Sequence, residues 1–209
     1  MSKPTVFIVD DDEGSLKSLA FLVQSVGHSV QTFASAEAFL ESWDGVEPGC
    51  VVLDVRMPGI SGLTLQEKLS KLDYCPPIIF ITGHGDIPMS VHAIKSGAID
   101  FFQKPVNDQL LLDRISEAIQ KDTETRQVAT TKQDIKNRIE LLTPREYEVM
   151  ELLIIGCSLK EIAKRFGISV QTASKHRTNV LDKLQVQNDV ELVHQANQIG
   201  LHPAEVSSS

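Results

Sequence analysis

Along the first half of the chain, short unbroken apolar runs take turns with longer stretches whose apolar residues recur at helical spacing. Val6-Phe7-Ile8-Val9, Val30 to Phe33, Val51-Val52-Leu53, Ile78-Ile79-Phe80-Ile81 and Ala98 to Gln103 read as strands. The unbroken runs are those of strands buried on both faces, which is the habit of a parallel sheet. Between them, Leu16, Leu19, Ala20, Leu22, Val23 and Val26 predict a helix that stops at Gly27. Further helices are expected from Ser35 to about Ser42, from Gly62 to Leu72, up to Ser96-Gly97, and from Asn107 through Leu111, Ile115 and Ile119. Five such alternations predict an α/β fold, a doubly wound five-stranded parallel sheet.

Past residue 140 the strand signal disappears and helix caps take over. Thr143-Pro144-Arg145-Glu146 and Ser158-Leu159-Lys160-Glu161 are both capping boxes, and Gly156 and Gly167 follow the helices they open. Ser169 caps a third helix with Ala173, Val180, Leu181 and Leu184 on its inner face, and Asn188 or Asp189 opens a fourth that ends near Gly200. Short helix, tight Gly turn, second helix is the helix-turn-helix plan. The expected organisation is an α/β domain over 4–121, a linker over 122–139 and a small all-α domain over 140–203. Glu205 to Ser209 is expected to be a frayed tail. The linker is polar and free of Gly and Pro, which leaves two conformations open: a helix running on from the one before it, or an extended chain.

Charge separates the halves further. The whole chain of 209 residues carries −8, and residues 1–122 alone account for that, with 9 Lys and Arg against 17 Asp and Glu. Within 160–183, Lys160, Lys164, Arg165, Lys175, Arg177 and Lys183 face only Glu161 and Asp182, so the second half presents a locally basic segment despite the acidic total. On the third helix Gln171, Ser174, Lys175, Arg177, Thr178 and Asn179 offer a mixture suited to phosphates and base edges. Cys50, Cys75 and Cys157 are odd in number and far apart, as expected of reduced packing residues in a cytoplasmic protein. No apolar run reaches the length of a membrane span, so no membrane partner is expected.

The candidate chemistry lies at the ends of the strands. Asp10-Asp11-Asp12 follows the first, Asp54 ends the third, Thr82 ends the fourth and Lys104 follows the fifth. In a parallel sheet the carboxyl ends of strands open on one crevice. Singly these residues also read as a solvent-facing acidic run, a turn cap, a strand-end hydroxyl and a surface lysine. Together they are a cluster of carboxylates that repel, at about 4 kcal/mol per pair at 4 Å and an effective dielectric near 20, and so call for a cation. An all-oxygen site suits Mg²⁺. With a hydroxyl and an ammonium opposite, it suits phosphoryl transfer onto a carboxylate.

Residues 5 to about 121 resemble the receiver domain of two-component response regulators, through Val9-Asp10-Asp11, Asp54-Val55-Arg56-Met57-Pro58-Gly59, Thr82-Gly83-His84-Gly85 and Asp100-Phe101-Phe102-Gln103-Lys104-Pro105. The resemblance implies a flavodoxin-like fold and a phosphoryl group passed to Asp54 from a phosphohistidine of a sensor histidine kinase. It implies Mg²⁺ held by Asp11, Asp54 and the backbone carbonyl of Arg56, with Asp10 acting through water. Lys104 would hold a carboxylate or phosphoryl oxygen and be joined to Pro105 by a cis bond. Thr82 and Phe101 would be the switch pair, the hydroxyl moving to the phosphoryl group and the ring filling the space it leaves. Haloacid-dehalogenase-type phosphatases also combine Asp, Thr and Lys, but Asp10-Asp11-Asp12-Glu13-Gly14 lacks the Thr or Val that follows their nucleophile.

Residues 140–201 resemble the LuxR-type helix-turn-helix domain, through Leu142-Thr143-Pro144-Arg145-Glu146, Lys160-Glu161-Ile162-Ala163, Ile168-Ser169, Thr172, His176-Arg177 and Lys183-Leu184. This implies double-stranded DNA as ligand, with Lys160, Gln171, Ser174, Lys175, Arg177, Thr178 and Lys183 as the contacts expected here. The family's Thr-Val-Lys is Thr172-Ala173-Ser174 in this chain, with a lysine one place later at Lys175, so the base-reading lysine does not carry over directly. Jointly the halves resemble response regulators of the FixJ/NarL branch. The function implied is that of a switch rather than an enzyme, in which phosphorylation promotes homodimerisation and DNA binding, with RNA polymerase a further partner. A different class is a phosphorelay or protein-interaction regulator whose C-terminal half does not bind DNA.

Overall fold

The computed structural model describes residues 3–72, 74–83 and 87–202. His84 and Gly85, Pro203 and the tail Glu205 to Ser209, all assigned from sequence above, lie outside the described residues. The chain forms two compact units that divide between Arg126 and Gln127.

The first unit alternates strand and helix: β1 (Thr5–Val9), α1 (Glu13–Ser25), β2 (Ser29–Phe33), α2 (Ala36–Ser42), β3 (Gly49–Asp54), α3 (Gly62–Leu69), β4 (Ile78–Thr82), α4 (Ile87–Lys95), β5 (Asp100–Gln103) and the start of α5 (Asp108–Glu140). All strand pairs are parallel, in the order β2-β1-β3-β4-β5. This is the doubly wound sheet expected from the apolar runs. β1, β3 and β4 are buried throughout, whereas the edge strand β2 exposes Gln31 and Thr32.

Alternate side chains of the central strands feed two separate cores. Phe7, Val9, Val51, Leu53, Ile78 and Phe80 pack with Phe39, Leu65 and Leu69 on one face, under α2 and α3. Val6, Ile8, Cys50, Val52, Ile79 and Ile81 pack with Val23, Leu111, Ile115 and Ile119 on the other, under α1 and α5. The sheet is thus covered on both faces, and the gap left for a ligand lies along the strand ends. α3 stops at Leu69, short of the Leu72 expected, because past it the Lys71 and Leu72 N–H groups tighten onto the carbonyls three residues back, Lys68 and Leu69, at 3.3 and 3.1 Å.

α5 is one helix of 33 residues, and the stretch 122–139 lies within it. Of the two conformations that its composition left open, it takes the helical one.

The second unit holds α6 (Pro144–Ile154), α7 (Leu159–Phe166), α8 (Val170–Leu184) and α9 (Asp189–Gln198). Both capping boxes form, with Thr143 and Glu146 bonding reciprocally at α6 and Ser158 and Glu161 at α7. Gly167 takes the left-handed conformation (φ 64°) that ends α7 and allows the turn into α8. Val149, Met150, Leu153, Ile162, Ala173, Val180, Leu184 and Leu192 make its core. No helix among the described residues is long and apolar enough to cross a membrane.

Candidate functional site

β1 and β3 are neighbours in register, Val9 opposite Leu53, so Asp10 just past β1 and Asp54 at the end of β3 meet at the same edge of the sheet. Ligand oxygens of Asp10, Asp11 and Asp54 all lie within 4.8 Å of one another. The three acids after β1 divide the work. Asp12 caps α1, accepting the Ser15 N–H at 2.7 Å. Asp11 is exposed. Asp10 is buried, and its carboxylate accepts from the Asp12 N–H (2.9 Å), the Ser15 hydroxyl (2.6 Å) and the Lys104 ammonium (2.6 Å).

Lys104 therefore enters the cluster through Asp10 and Ser15, whose Oγ it reaches at 3.0 Å, and it bears on Asp54 as a nearby positive charge. The Lys104–Pro105 bond is cis. Ser15 was not among the residues singled out from sequence. Its position three after the helix cap was the available signal, but a polar residue in a first helical turn usually faces water.

Asp54 is the unusual member. It is buried, and its Oδ1 has no hydrogen-bond partner among the described residues. Burial pushes its carboxyl pKa up; Lys104 opposes that shift, and the nearby Asp10 and Asp11 add to it. A buried, unpaired anionic oxygen beside two further carboxylates is costly unless a cation or a covalent partner takes it up. The all-oxygen donor set has the chemistry of a site for a hard divalent ion. Thr82 is buried at the end of β4. Phe101 is half-buried, its ring 6.0 Å from that of Phe80. The Arg56 side chain is exposed.

In the second unit, Lys160, Gln171, Lys175 and Thr178 are exposed, and Ser174 is half-buried. Gln171, Ser174, Lys175 and Thr178 share one face of α8 by their spacing. Ala173 is fully buried, so its position serves packing, and Lys175 stands roughly 100° around the helix from Ser174. Arg177 and Lys183 are engaged inside the unit. The Arg177 Nε bonds to both oxygens of Asp189 at 2.8 and 3.1 Å, tying α8 to α9. The Lys183 ammonium donates to Glu146 Oε2 at 2.6 Å and to the Leu141 carbonyl at 3.0 Å.

Glu146 is buried and also accepts the Thr143 N–H at 2.9 Å, and the Lys183 ammonium first, then that backbone bond, push its carboxyl down to about 2. A depressed carboxyl stabilises the fold above its ordinary value and stops doing so as pH falls through the folded one. Protection of α6 and α8 amides from hydrogen exchange is therefore expected to weaken between about pH 4.3 and about 2. Glu146→Gln should cost about 1.5–3 kcal/mol at neutral pH and flatten that dependence.

A family model described as the response regulator receiver domain matches residues 6–116, and one for bacterial regulatory proteins of the luxR family matches residues 140–196. The chain is 41% identical over 200 residues to Nodulation protein W of Bradyrhizobium diazoefficiens, covering 96% of this chain and 88% of that protein. It is equally 41% identical over 200 residues to the transcriptional regulatory protein FixJ of the same organism, covering 96% and 98%. Among solved structures, the response regulator StyR superposes with a TM-score of 0.88 at 45% identity, over 94% of this chain and all of that one. Full-length FixJ from B. japonicum gives 0.58 at 41% identity, over 96% and 99%. A parallel α/β unit followed by a capped four-helix unit thus has counterparts over nearly the whole length of the chain, and the chain belongs to the FixJ/NarL-type two-component response regulators, in which a receiver domain is joined to a LuxR-type DNA-binding domain.

Proposed function

We propose that Asp54 is the phosphoacceptor and that its phosphorylation by a sensor histidine kinase governs binding of the second unit to double-stranded DNA. The observation that carries this reading is the buried Asp54 Oδ1, which has no hydrogen-bond partner among the described residues and belongs to a carboxylate within 4.8 Å of those of Asp10 and Asp11. In the transfer, the Asp54 carboxylate attacks phosphorus, the P–N bond to the kinase imidazole breaks, and an acyl phosphate forms. Asp11, Asp54 and the Arg56 carbonyl would hold Mg²⁺, with Asp10 reaching it through water. When bound, that ion supplies the positive charge that lets carboxylate and phosphoryl oxygens approach. Lys104 then offers its ammonium to a phosphoryl oxygen, Thr82 turns its hydroxyl to another, and Phe101 moves inward to fill the space.

The receiver spans 4–121 with its last helix running on, and the DNA-binding domain spans 140–203. Lys160, Gln171, Ser174, Lys175 and Thr178 face phosphates and base edges. Arg177 and Lys183 lend positive field while they hold their own domain together. Phosphorylated chains pair as a homodimer on half-sites about one turn, roughly 34 Å, apart or a multiple of it, and act on RNA polymerase in the cytoplasm. One phosphoryl group is taken up per chain, so the protein works as a switch and not as an enzyme.

The test joins both halves. The full chain is incubated with acetyl phosphate, with Mg²⁺ or with a chelator, and each sample is used to select from random duplex DNA. Labelling that needs Mg²⁺, and one motif enriched more strongly after labelling, are expected. Equal labelling in chelator would remove the metal from the site, and selection that enriches no motif would remove sequence-specific DNA binding.

A further inference from the structure

Arg56 offers a backbone carbonyl, and no side chain of its own fixes where that carbonyl stands. The loop from Val55 to Ser61 must do so. One end is closed on itself: the Gly62 N–H donates to the Val55 carbonyl at 2.9 Å. Helix α3 starts so close to β3 that a Cβ at Gly62 would lie 2.2 Å from the Asp54 carbonyl oxygen. Met57, in the middle, is buried in the core beneath α2. At the far end of the turn, Glu37 in the first turn of α2 reaches across and accepts the Ile60 N–H on its Oε1 at 3.0 Å. Gly59 sits under the same oxygen in a left-handed conformation (φ 74°), and a Cβ there would come within 2.6 Å of it. The carboxylate is thus seated on bare backbone. Its own N–H first and the Ile60 N–H next hold its carboxyl below the usual range, and burial opposes them only in part.

We infer that Glu37 is a positioning residue for phosphorylation: through the Ile60 N–H and the glycine turn at Gly59 it holds the 55–61 loop so that the Arg56 carbonyl faces the carboxylate cluster. It touches neither phosphoryl group nor ion and acts through the loop. Groups hydrogen-bonded directly to a metal ligand alter metal affinity about 10–100-fold when removed, and Glu37, which acts from further off through Ile60, is expected at the low end of that range. The inference rests on the reading that the cluster and the Arg56 carbonyl bind Mg²⁺, and the experiment separates the two.

Mg²⁺ binding to the unphosphorylated full chain is measured by titration calorimetry for the wild type, Glu37→Ala, Glu37→Gln and Asp11→Asn. Melting temperature and the Mg²⁺ dependence of acetyl phosphate labelling are measured alongside. Glu37→Ala should raise the Mg²⁺ Kd about tenfold. Its labelling rate should recover to near the wild-type value at saturating Mg²⁺. Glu37→Gln keeps an amide oxygen for the Ile60 N–H and should restore most of the affinity. A Glu37→Ala protein that melts lower but binds Mg²⁺ as the wild type does would reduce Glu37 to a structural contact and overturn the inference. If Glu37→Ala fails to fold, Glu37→Gln decides: a Kd raised as far as that of Asp11→Asn would place the carboxylate charge at the metal and overturn positioning. Should Asp11→Asn leave the Kd unchanged as well, it is the Mg²⁺ reading itself that fails.

Discussion

Replacing Asp122 with Ala should destabilise the receiver by about 3–5 kcal/mol. Asp122 is buried, and its carboxylate accepts the Gly49 N–H at 2.8 Å, the Tyr74 hydroxyl and the Arg126 Nε at 3.1 Å. Arg126 also donates from Nη1 and Nη2 to three successive carbonyls, Gly45, Val46 and Glu47, each at 3.0 Å, and stacks over Tyr74 with 3.8 Å to the ring centroid. Burial first, then the hydrogen bond to Asp122, pushes the Tyr74 hydroxyl pKa well up, so it stays a donor at any ordinary pH. Without the carboxylate, a partly buried guanidinium is left without its anion, and the Gly49 N–H loses its acceptor. The neutral Asp122→Asn keeps an acceptor and should cost less. Trp43 is the chain's single tryptophan and lies 6.1 Å from the Tyr74 ring. Urea denaturation followed by its fluorescence reports directly on this corner. A loss below about 1 kcal/mol for the alanine variant would mean that loop 45–49 holds its shape without α5.

That corner also marks what could be read from the residues alone. The strands were legible because both faces of β1, β3 and β4 are buried, which leaves unbroken apolar runs. The gathering of Asp10, Asp11, Asp54 and Lys104 was legible because parallel strands all deliver their carboxyl ends to one edge. Asp122 and Arg126 were not, because an acid and a base four apart on a polar helix look like a solvated pair. Only the arrival of loop 45–49 and Tyr74, both far away in the chain, buries them. Glu37 is hidden for the same reason, since its partner is the backbone N–H of a residue 23 places on. Glu146 was visible as the N3 glutamate of a capping box, but not as the anion that engages Lys183. A lysine on a basic helix reads as a phosphate ligand until the fold sets a buried carboxylate beside it.

The other large effect concerns Asp54, and its two parts point in opposite directions. Asp54→Asn should abolish labelling by acetyl phosphate, because the amide offers no nucleophilic oxygen, while the folded chain becomes more stable in Mg²⁺-free buffer. The sign follows from the pKa. Burial, with Asp10 and Asp11 nearby and Lys104 only partly offsetting them, raises the Asp54 carboxyl above its ordinary value. A carboxyl raised on folding binds a proton more readily in the native state. Its ionised form therefore costs stability at neutral pH, and that cost fades as pH falls through the raised value. Removing the charge should therefore raise the Tm, by an amount that the attraction of Lys104 reduces. The wild type should show the same gain on mild acidification, and Asp54→Asn should not. Labelling of the wild type should fall over that same interval, because only the ionised carboxylate attacks phosphorus. Saturating Mg²⁺ should erase the stability difference by supplying the missing counter-charge. Label retained by Asp54→Asn would move the acceptor to another carboxylate. A wild type more stable than Asp54→Asn in the absence of Mg²⁺ would show that Lys104 already outweighs the repulsion, so that the switch starts from a neutralised aspartate instead of a strained one.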